Sequence, residues 1–181
     1  MTIADLWQAI LVSAVIVWFA SAIIWTALPW HKNDYAKTSD EEGVRAALRG
    51  LAPGLYNVPH VMDMKDMKTP EVQQKFNDGP LAFITVLPNG MPSMGRNMGL
   101  SFVYNVVVSV ICAYVVSRTM APDAEYLEVF RIAGCTAWLA YGVGIVPDSI
   151  WFGRPWSSTV KHLIDAFIYG LLTGGAFGGL S

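Results

Sequence analysis

Hydrophobic residues dominate four stretches of the chain, and each approaches the roughly 20 apolar residues that a helix needs to cross a bilayer. These stretches are residues 6–28, 98–117, 127–147 and 160–180. The pattern predicts an all-α membrane protein, with four transmembrane helices in a single membrane domain that spans residues 1–181. A polar insertion, residues 29–97, separates the first predicted span from the second.

The polar insertion contains signals for short local elements rather than for a further span. Ser39 is followed by three acidic residues, which predicts the start of a short amphipathic helix, and Thr69-Pro70 predicts the start of a second one. Pro53 and Pro59 disfavour a helix within residues 53–60, so this stretch is predicted to be extended or turned. Residues 81–92 form a β-rich run that is too short to span a membrane.

Composition narrows the classes of function that fit this pattern. The chain is 54% hydrophobic and only 14% charged, which favours a bilayer rather than water as its surroundings. Its formal net charge of -2 argues against nucleic-acid binding, which needs clustered Lys and Arg. The sequence contains no GxSxG, Walker-type or strand-linked GxGxxG motif, so an autonomous enzyme is not expected.

Basic residues are distributed unevenly between the two sides of the predicted membrane domain. Ten of the twelve Lys and Arg lie in the insertion or in the connection between the third and fourth spans. Loops rich in Lys and Arg stay in the cytoplasm, so the distribution predicts a cytoplasmic insertion and places both termini outside.

Two predicted spans carry stripes of polar residues. With 100° between successive residues, His162, Asp165, Tyr169 and Thr173 fall within about 80° of one another on the fourth helix. Polar residues also recur every four positions on the second span, at Ser101 and Asn105 among others. Polar groups in hydrocarbon need partners, so the stripes should face the bundle interior. We expect an intramembrane polar seam, in which Ser101 and Asn105 are partners of Asp165; its members are Ser101, Asn105, Asp165 and Tyr169.

The fourth span also carries three glycines spaced by four residues, Gly170, Gly174 and Gly178. Small residues at this spacing let two helix backbones approach closely in lipid. The glycine face is therefore predicted to pack on another helix.

Each of the three histidines is followed by Asp three residues later. The pairs are His31 and Asp34, His60 and Asp63, and His162 and Asp165. Imidazole and carboxylate are ordinary ligands for zinc or iron, so one hypothesis is a transition-metal site built from these six residues. The alternative is that the histidines are interfacial or hydrogen-bonding residues, since no HExxH, CxxC or CxxCH motif accompanies them.

Three stretches carry a resemblance: "LPWHKNDY", "GPLAFITVLPNGMPSMG" and "DSIWFGRPWSSTVKHLIDAFIYGLLTGGAFG". Together they resemble a family of small four-span bacterial inner-membrane proteins with no known activity. The resemblance implies the bacterial inner membrane and supplies no catalytic residues.

Three functions follow as hypotheses from these patterns. The leading one is an accessory or assembly component that packs against itself, as a homo-oligomer, or against a larger membrane complex. The second is a membrane-bound metalloprotein that uses the His-x-x-Asp pairs. The third is a small transporter or proton path along Asn105, Asp165 and Tyr169.

Overall fold

The computed structural model describes residues 1–181 and is mostly helical. Its regular elements are seven α-helices and two strands: α1 (Trp7–Thr26), α2 (Glu41–Leu48), β1 (Gly54–Val58), α3 (Pro70–Asp78), β2 (Ala82–Val86), α4 (Met94–Thr119), α5 (Tyr126–Gly142), α6 (Val146–Trp151) and α7 (Trp156–Leu180). The chain divides into two compact units. The first contains Met1–Tyr35 and Pro92–Ser181, and the second contains Ala36–Met91.

The first unit holds four helical segments that are long and apolar enough to cross a membrane. They are Ala4–Thr26, Met94–Thr119, Tyr126–Trp151 and Trp156–Leu180. The prediction of four such segments is confirmed. The third is longer than predicted, because a single 3₁₀ turn, Val143–Ile145, joins α5 to α6 and Pro147 occupies the first turn of α6. Proline is tolerated there because the first N–H groups of a helix have no partner within the helix.

The four long helices form a ring. The α5–α7 pair has the most extensive contact, α1 packs on both α4 and α7, and α4 packs on α5. One apolar core lies near the end of the bundle that holds the chain termini, and its fully buried side chains include Leu6, Val116, Val129 and Phe177.

The glycine face of α7 lies against α5 of the same chain. A Cβ added to Gly174 would lie 2.6 Å from the backbone oxygen of Phe130, and one added to Gly170 would lie 2.8 Å from the oxygen of Gly134. A Cβ on Gly178 would lie 2.8 Å from the ring of Tyr126. The close approach of the glycine face to another helix is therefore made within one copy of the chain.

The second unit contains the short elements of the insertion. Asp40, rather than Ser39, caps α2 by accepting a hydrogen bond from the backbone N of Gly43 at 2.9 Å. Strands β1 and β2 pair antiparallel, with Gly54 opposite Val86. No residue of this unit is buried, so it has no hydrophobic core of its own.

Candidate functional site

A turn directly after α1 positions the first two residues of the site. Leu28 is extended, and Pro29 then begins a 3₁₀ turn that ends at His31. The ring of His31 stacks on that of Trp25, with centroids 3.9 Å apart and planes inclined by 2°. The backbone N of Asp34 donates to the carbonyl oxygen of His31 at 3.1 Å. This turn holds both ionisable side chains beside the end of α1.

The start of α7 supplies the remaining residues. Gly153 has φ of +69°, a conformation that favours glycine, and the turn that it makes is followed by Arg154 and then by Pro155, which occupies the N-cap position of α7. Lys161 and Asp165 are four residues apart, so they project from the same face of the helix. One helix face thus presents a cation and an anion to the turn after α1.

His31 bridges two buried carboxylates. Its Nδ1 lies 2.6 Å from Oδ2 of Asp34, and its Nε2 lies 2.7 Å from Oδ2 of Asp165. The side chains of His31, Asp34 and Asp165 are only 5%, 6% and 4% exposed. We call these three residues the triad.

Two cations and a second histidine complete the cluster around the triad. Lys161 donates from Nζ to Oδ1 of Asp34 at 2.6 Å. Arg154 Nη2 lies 2.7 Å from Nε2 of His162. Since the guanidinium can only donate, Nε2 of His162 accepts and this ring carries its hydrogen on Nδ1. We refer to the triad with Arg154, Lys161 and His162 as the ionic cluster.

The geometry of the triad sets its number of protons. Each of its two nitrogen–oxygen contacts needs one bridging hydrogen, whereas a neutral imidazole carries a single N–H. The triad therefore holds one proton more than a neutral His31 with two carboxylates would hold. The triad then carries a net charge of −1, which is balanced by Lys161 at the Asp34 end.

Asp34 lies outside the four long helices, and its surroundings favour the ionised form. The hydrogen bond from Lys161, followed by that from His31, holds the pKa of the Asp34 carboxyl below its usual value. A carboxyl whose pKa is lower in the folded than in the unfolded chain stabilises the fold at pH values above its pKa in the unfolded chain. That contribution disappears as the pH falls through the pKa in the folded chain.

This shift leads to a first testable prediction. At neutral pH, Asp34→Asn should melt at a lower temperature than the wild type in mild detergent, because it loses the ion pair with Lys161. The difference should shrink as the pH falls below about 4, where an Asp in the unfolded chain becomes protonated. The exposed Asp66 provides a matched control, and Asp66→Asn should follow the wild-type curve. A difference between Asp34→Asn and wild type that does not change with pH would contradict the pairing.

The structure brings together four of the six residues in the metal hypothesis. His31, Asp34, His162 and Asp165 all belong to the ionic cluster. His60 and Asp63 lie in the second unit and make local contacts there. His60 Nδ1 lies 2.7 Å from Oδ1 of Asn57, and Asp63 accepts from the backbone N of Lys65.

The predicted partners of Asp165 were wrong. The partner of Asp165 is His31, from the turn after α1, and not Ser101 or Asn105 of α4. The reason is that α7 contacts α1 along its length, whereas it faces α4 across the ring. Asn105 and Tyr169 are nevertheless buried in the bundle interior, while Ser101 is half-buried.

Three residues of the site were not predicted to belong to it. They are Trp25, whose ring stacks on that of His31, Lys161, which donates to Asp34, and Arg154. The guanidinium of Arg154 contacts His162 and Ser158. Only the distances between segments reveal these roles, because neither residue spacing nor composition relates the turn after α1 to the start of α7.

The metal hypothesis can be tested against the chemistry of these donors. His31, Asp34 and His162 each offer one ligand atom, all within 4.8 Å of one another. However, both nitrogens of His31 face carboxylates, and Nε2 of His162 accepts from Arg154. A metal ion would have to displace this guanidinium and would lie beside a second cation, Lys161. The donor set therefore fits a hydrogen-bonded ionic cluster better than a metal centre.

Comparisons with known proteins identify no relative. The chain matches no protein-family model, no curated protein and no solved structure.

Proposed function

We propose that this chain is a multi-pass protein of the bacterial inner membrane in which the triad relays a proton from the membrane surface into the helix bundle. In this proposal the insertion is cytoplasmic and both termini are outside, as the Lys and Arg distribution favours. The observation that carries the proposal is the contact of both ring nitrogens of His31 with carboxylates, one from the turn after α1 and the other from α7.

The two ends of the triad differ in their surroundings. Asp34 is paired with Lys161, whose side chain is 23% exposed, and therefore lies at the solvent end. Asp165 projects from α7, and the next polar residues along its face, Tyr169 and Thr173, lie deeper in the bundle and are buried. The line of hydrogen bonds from Asp34 through His31 to Asp165 thus runs from the surface towards the interior.

Imidazole is suited to this transfer because one nitrogen can take up a proton while the other releases one. With the triad's extra proton on Asp34, the ring of His31 is neutral and carries its hydrogen on Nε2. Transfer of that proton to Nδ1 gives a ring with hydrogens on both nitrogens, and the hydrogen on Nε2 then passes to Asp165, which leaves a neutral ring with its hydrogen on Nδ1. The reverse transfers restore the starting state. A fixed ion pair would need only one of these contacts, so the double contact favours a relay.

Hydrogen–deuterium exchange tests the relay. We expect the ring N–H hydrogens of His31 to exchange rapidly with D₂O in wild-type protein in lipid bilayers, as followed by NMR of ¹⁵N-labelled histidine. Asp34→Asn should slow this exchange strongly, because an amide accepts a hydrogen bond but does not carry a proton onward. Asp34→Glu should restore it.

Two results would contradict the relay. One is exchange at the same rate in wild type and Asp34→Asn, which would mean that protons reach His31 by another route. The other is wild-type protein whose His31 hydrogens do not exchange, which would make the triad a static structural element.

A second candidate function, the accessory or assembly role, is favoured by the second unit. This unit has no buried residue, yet it exposes large apolar side chains: Leu55 is 83%, Met64 is 80% and Leu87 is 68% exposed. A two-stranded sheet is marginally stable in water unless it packs against another surface. Such a surface would be provided by a partner protein or by another copy of this chain.

Site-specific crosslinking distinguishes these possibilities. A photoreactive side chain at Leu55 should form a protein adduct in cells, whereas one at the exposed, charged Glu42 should not. Lipid adducts alone at Leu55 would contradict the accessory role and indicate that the unit lies on the membrane surface.

A further inference from the structure

A layer of polar side chains crosses the middle of the bundle, inward from the ionic cluster, and on α7 it begins one helical turn past Asp165. Its members come from all four long helices and are Ser13, Asn105, Ser109, Tyr141, Tyr169 and Thr173. All except Tyr141, which is half-buried, are buried residues. A polar layer of this extent is unusual in helices apolar enough to cross a membrane. Polar groups surrounded by hydrocarbon need hydrogen-bond partners, so each member of the layer should have one.

Side-chain contacts place these residues at neighbouring depths. Ser13 of α1 donates to Ser109 of α4 at 2.9 Å, which sets the register of these helices. One turn closer to the ionic cluster, the same register puts Asn105 beside Val17, and Val17 packs against Tyr169 of α7.

Aromatic contacts extend this layer to α5. The Tyr141 ring lies 5.5 Å from that of Tyr169 and 5.7 Å from that of Tyr104, which neighbours Asn105 on α4. Tyr141 thus lies between α4 and α7 at this depth.

Four polar atoms in the layer lack a hydrogen-bond partner within the chain. They are Nδ2 of Asn105, the hydroxyl oxygens of Tyr141 and Tyr169, and Oγ1 of Thr173. Asn105 is 3% and Thr173 is 0% exposed, so bulk solvent at the surface does not reach them directly. A buried polar group without a partner costs a few kcal/mol, and a buried water that bonds two to four such groups removes this cost.

We propose that water occupies this layer and forms a half-channel that opens at the ionic cluster and ends inside the bundle. Asp165, Tyr169 and Thr173 are spaced by four along α7 and form one wall from the triad inward. Asn105 and Tyr141 contribute polar groups from α4 and α5. The ligand of this site is water, with hydronium as the species that the triad delivers.

The opposite end of the half-channel is closed. Beyond Thr173 the interior consists of the apolar core, in which Leu6, Val116 and Phe177 are at most 1% exposed. Cys112 lies in this core, one turn beyond Ser109 on α4, with its Sγ 3.7 Å from the carbonyl oxygen of Ala133. A proton delivered by the triad therefore stops in the polar layer.

This inference extends the proposed relay, but it rests on the buried polar atoms and not on the triad. The half-channel and the relay can therefore fail independently of each other. If water is absent from the layer while exchange at His31 still depends on Asp34, the relay remains and the half-channel is wrong.

Thiol accessibility tests the half-channel, and Cys112 is a built-in control for the dry core. In a Cys135→Ala background reconstituted in liposomes, Thr173→Cys keeps the size of the side chain and places a thiol in the polar layer. The probe is a small membrane-impermeant, cationic methanethiosulfonate reagent, which reacts with thiolates in water. We expect Cys at 173 to react roughly 100-fold faster than Cys112, because thiolate forms only where water is present. The reaction should occur only when the reagent is added on the side of the ionic cluster.

Two results would overturn the half-channel: Cys at 173 that is as unreactive as Cys112, or Cys112 that reacts as fast as Cys at 173. Asn105→Cys provides the same measurement from α4 if Thr173→Cys does not fold. The native chain allows a measurement of hydrogen exchange without any variant. The side-chain amide hydrogens of Asn105 should exchange with D₂O, whereas the hydrogens around Cys112 should stay protected from exchange. An amide of Asn105 that does not exchange would also overturn the proposal.

Discussion

Replacing His31 by alanine should destabilise the folded protein more than any other single change in the ionic cluster. The substitution leaves the carboxylates of Asp34 and Asp165 buried without the group that lies between them. Breaking a buried ion pair by removing one partner costs about 3–5 kcal/mol. It also removes the ring that stacks on Trp25. The expected result is a large fall in melting temperature in mild detergent, or loss of folded protein.

A matched control for this variant is present in the same chain. His60 is also followed by Asp three residues later, but it is exposed and its Nδ1 contacts only the nearby Asn57, so His60→Ala should melt close to the wild type. Combining His31→Ala with Asp165→Asn should recover part of the stability, because one uncompensated charge is removed. If His31→Ala and His60→Ala have equal, small effects, the triad does not stabilise the fold.

Gly174→Leu should prevent α5 and α7 from packing as they do in the native bundle. A Cβ at this position would lie 2.6 Å from the backbone oxygen of Phe130 and 3.3 Å from the Cα of Gly134. Both neighbours are backbone atoms, so the strain cannot be relieved by rotating a side chain. Overpacking typically costs about 1–3 kcal/mol, and we expect the upper end of that range or more.

Gly179 provides the control for Gly174, because it lies on the same helix and a Cβ there would meet nothing within 4 Å. Folded yield in mild detergent and melting temperature should fall for Gly174→Leu and change little for Gly179→Leu. Equal behaviour of the two variants would show that the glycine face does not need close packing.

The four long helices could be predicted because their signal is local. A run of about 20 apolar residues identifies a candidate span wherever its neighbours lie. The start of the helix after Thr69-Pro70 was likewise predicted from adjacent residues, and α3 does begin at Pro70. The pairing of β1 with β2 was not predicted, because it joins strands separated by 23 residues and no hairpin turn links them.

The site was only partly predictable, because its contacts join distant segments. Spacing identified His31 and Asp34, which do contact each other, but it also paired His162 with Asp165. In the structure Asp165 contacts His31, which is 134 residues away, and His162 contacts Arg154. Three-residue spacing on a helix places two side chains on the same side, but the packing of α7 on α1 decides what each one meets.

The protonation state of His31 tests the central claim most directly. In purified protein in lipid bilayers at neutral pH, ¹⁵N NMR of labelled histidine should show a hydrogen bond at each ring nitrogen of His31. The spectrum of His31→Ala, which lacks these resonances, assigns them to His31. Elemental analysis of the same sample should show no transition metal in proportion to the chain. A His31 ring with one bare nitrogen, or one with a nitrogen bound to a stoichiometric metal ion, would contradict the account.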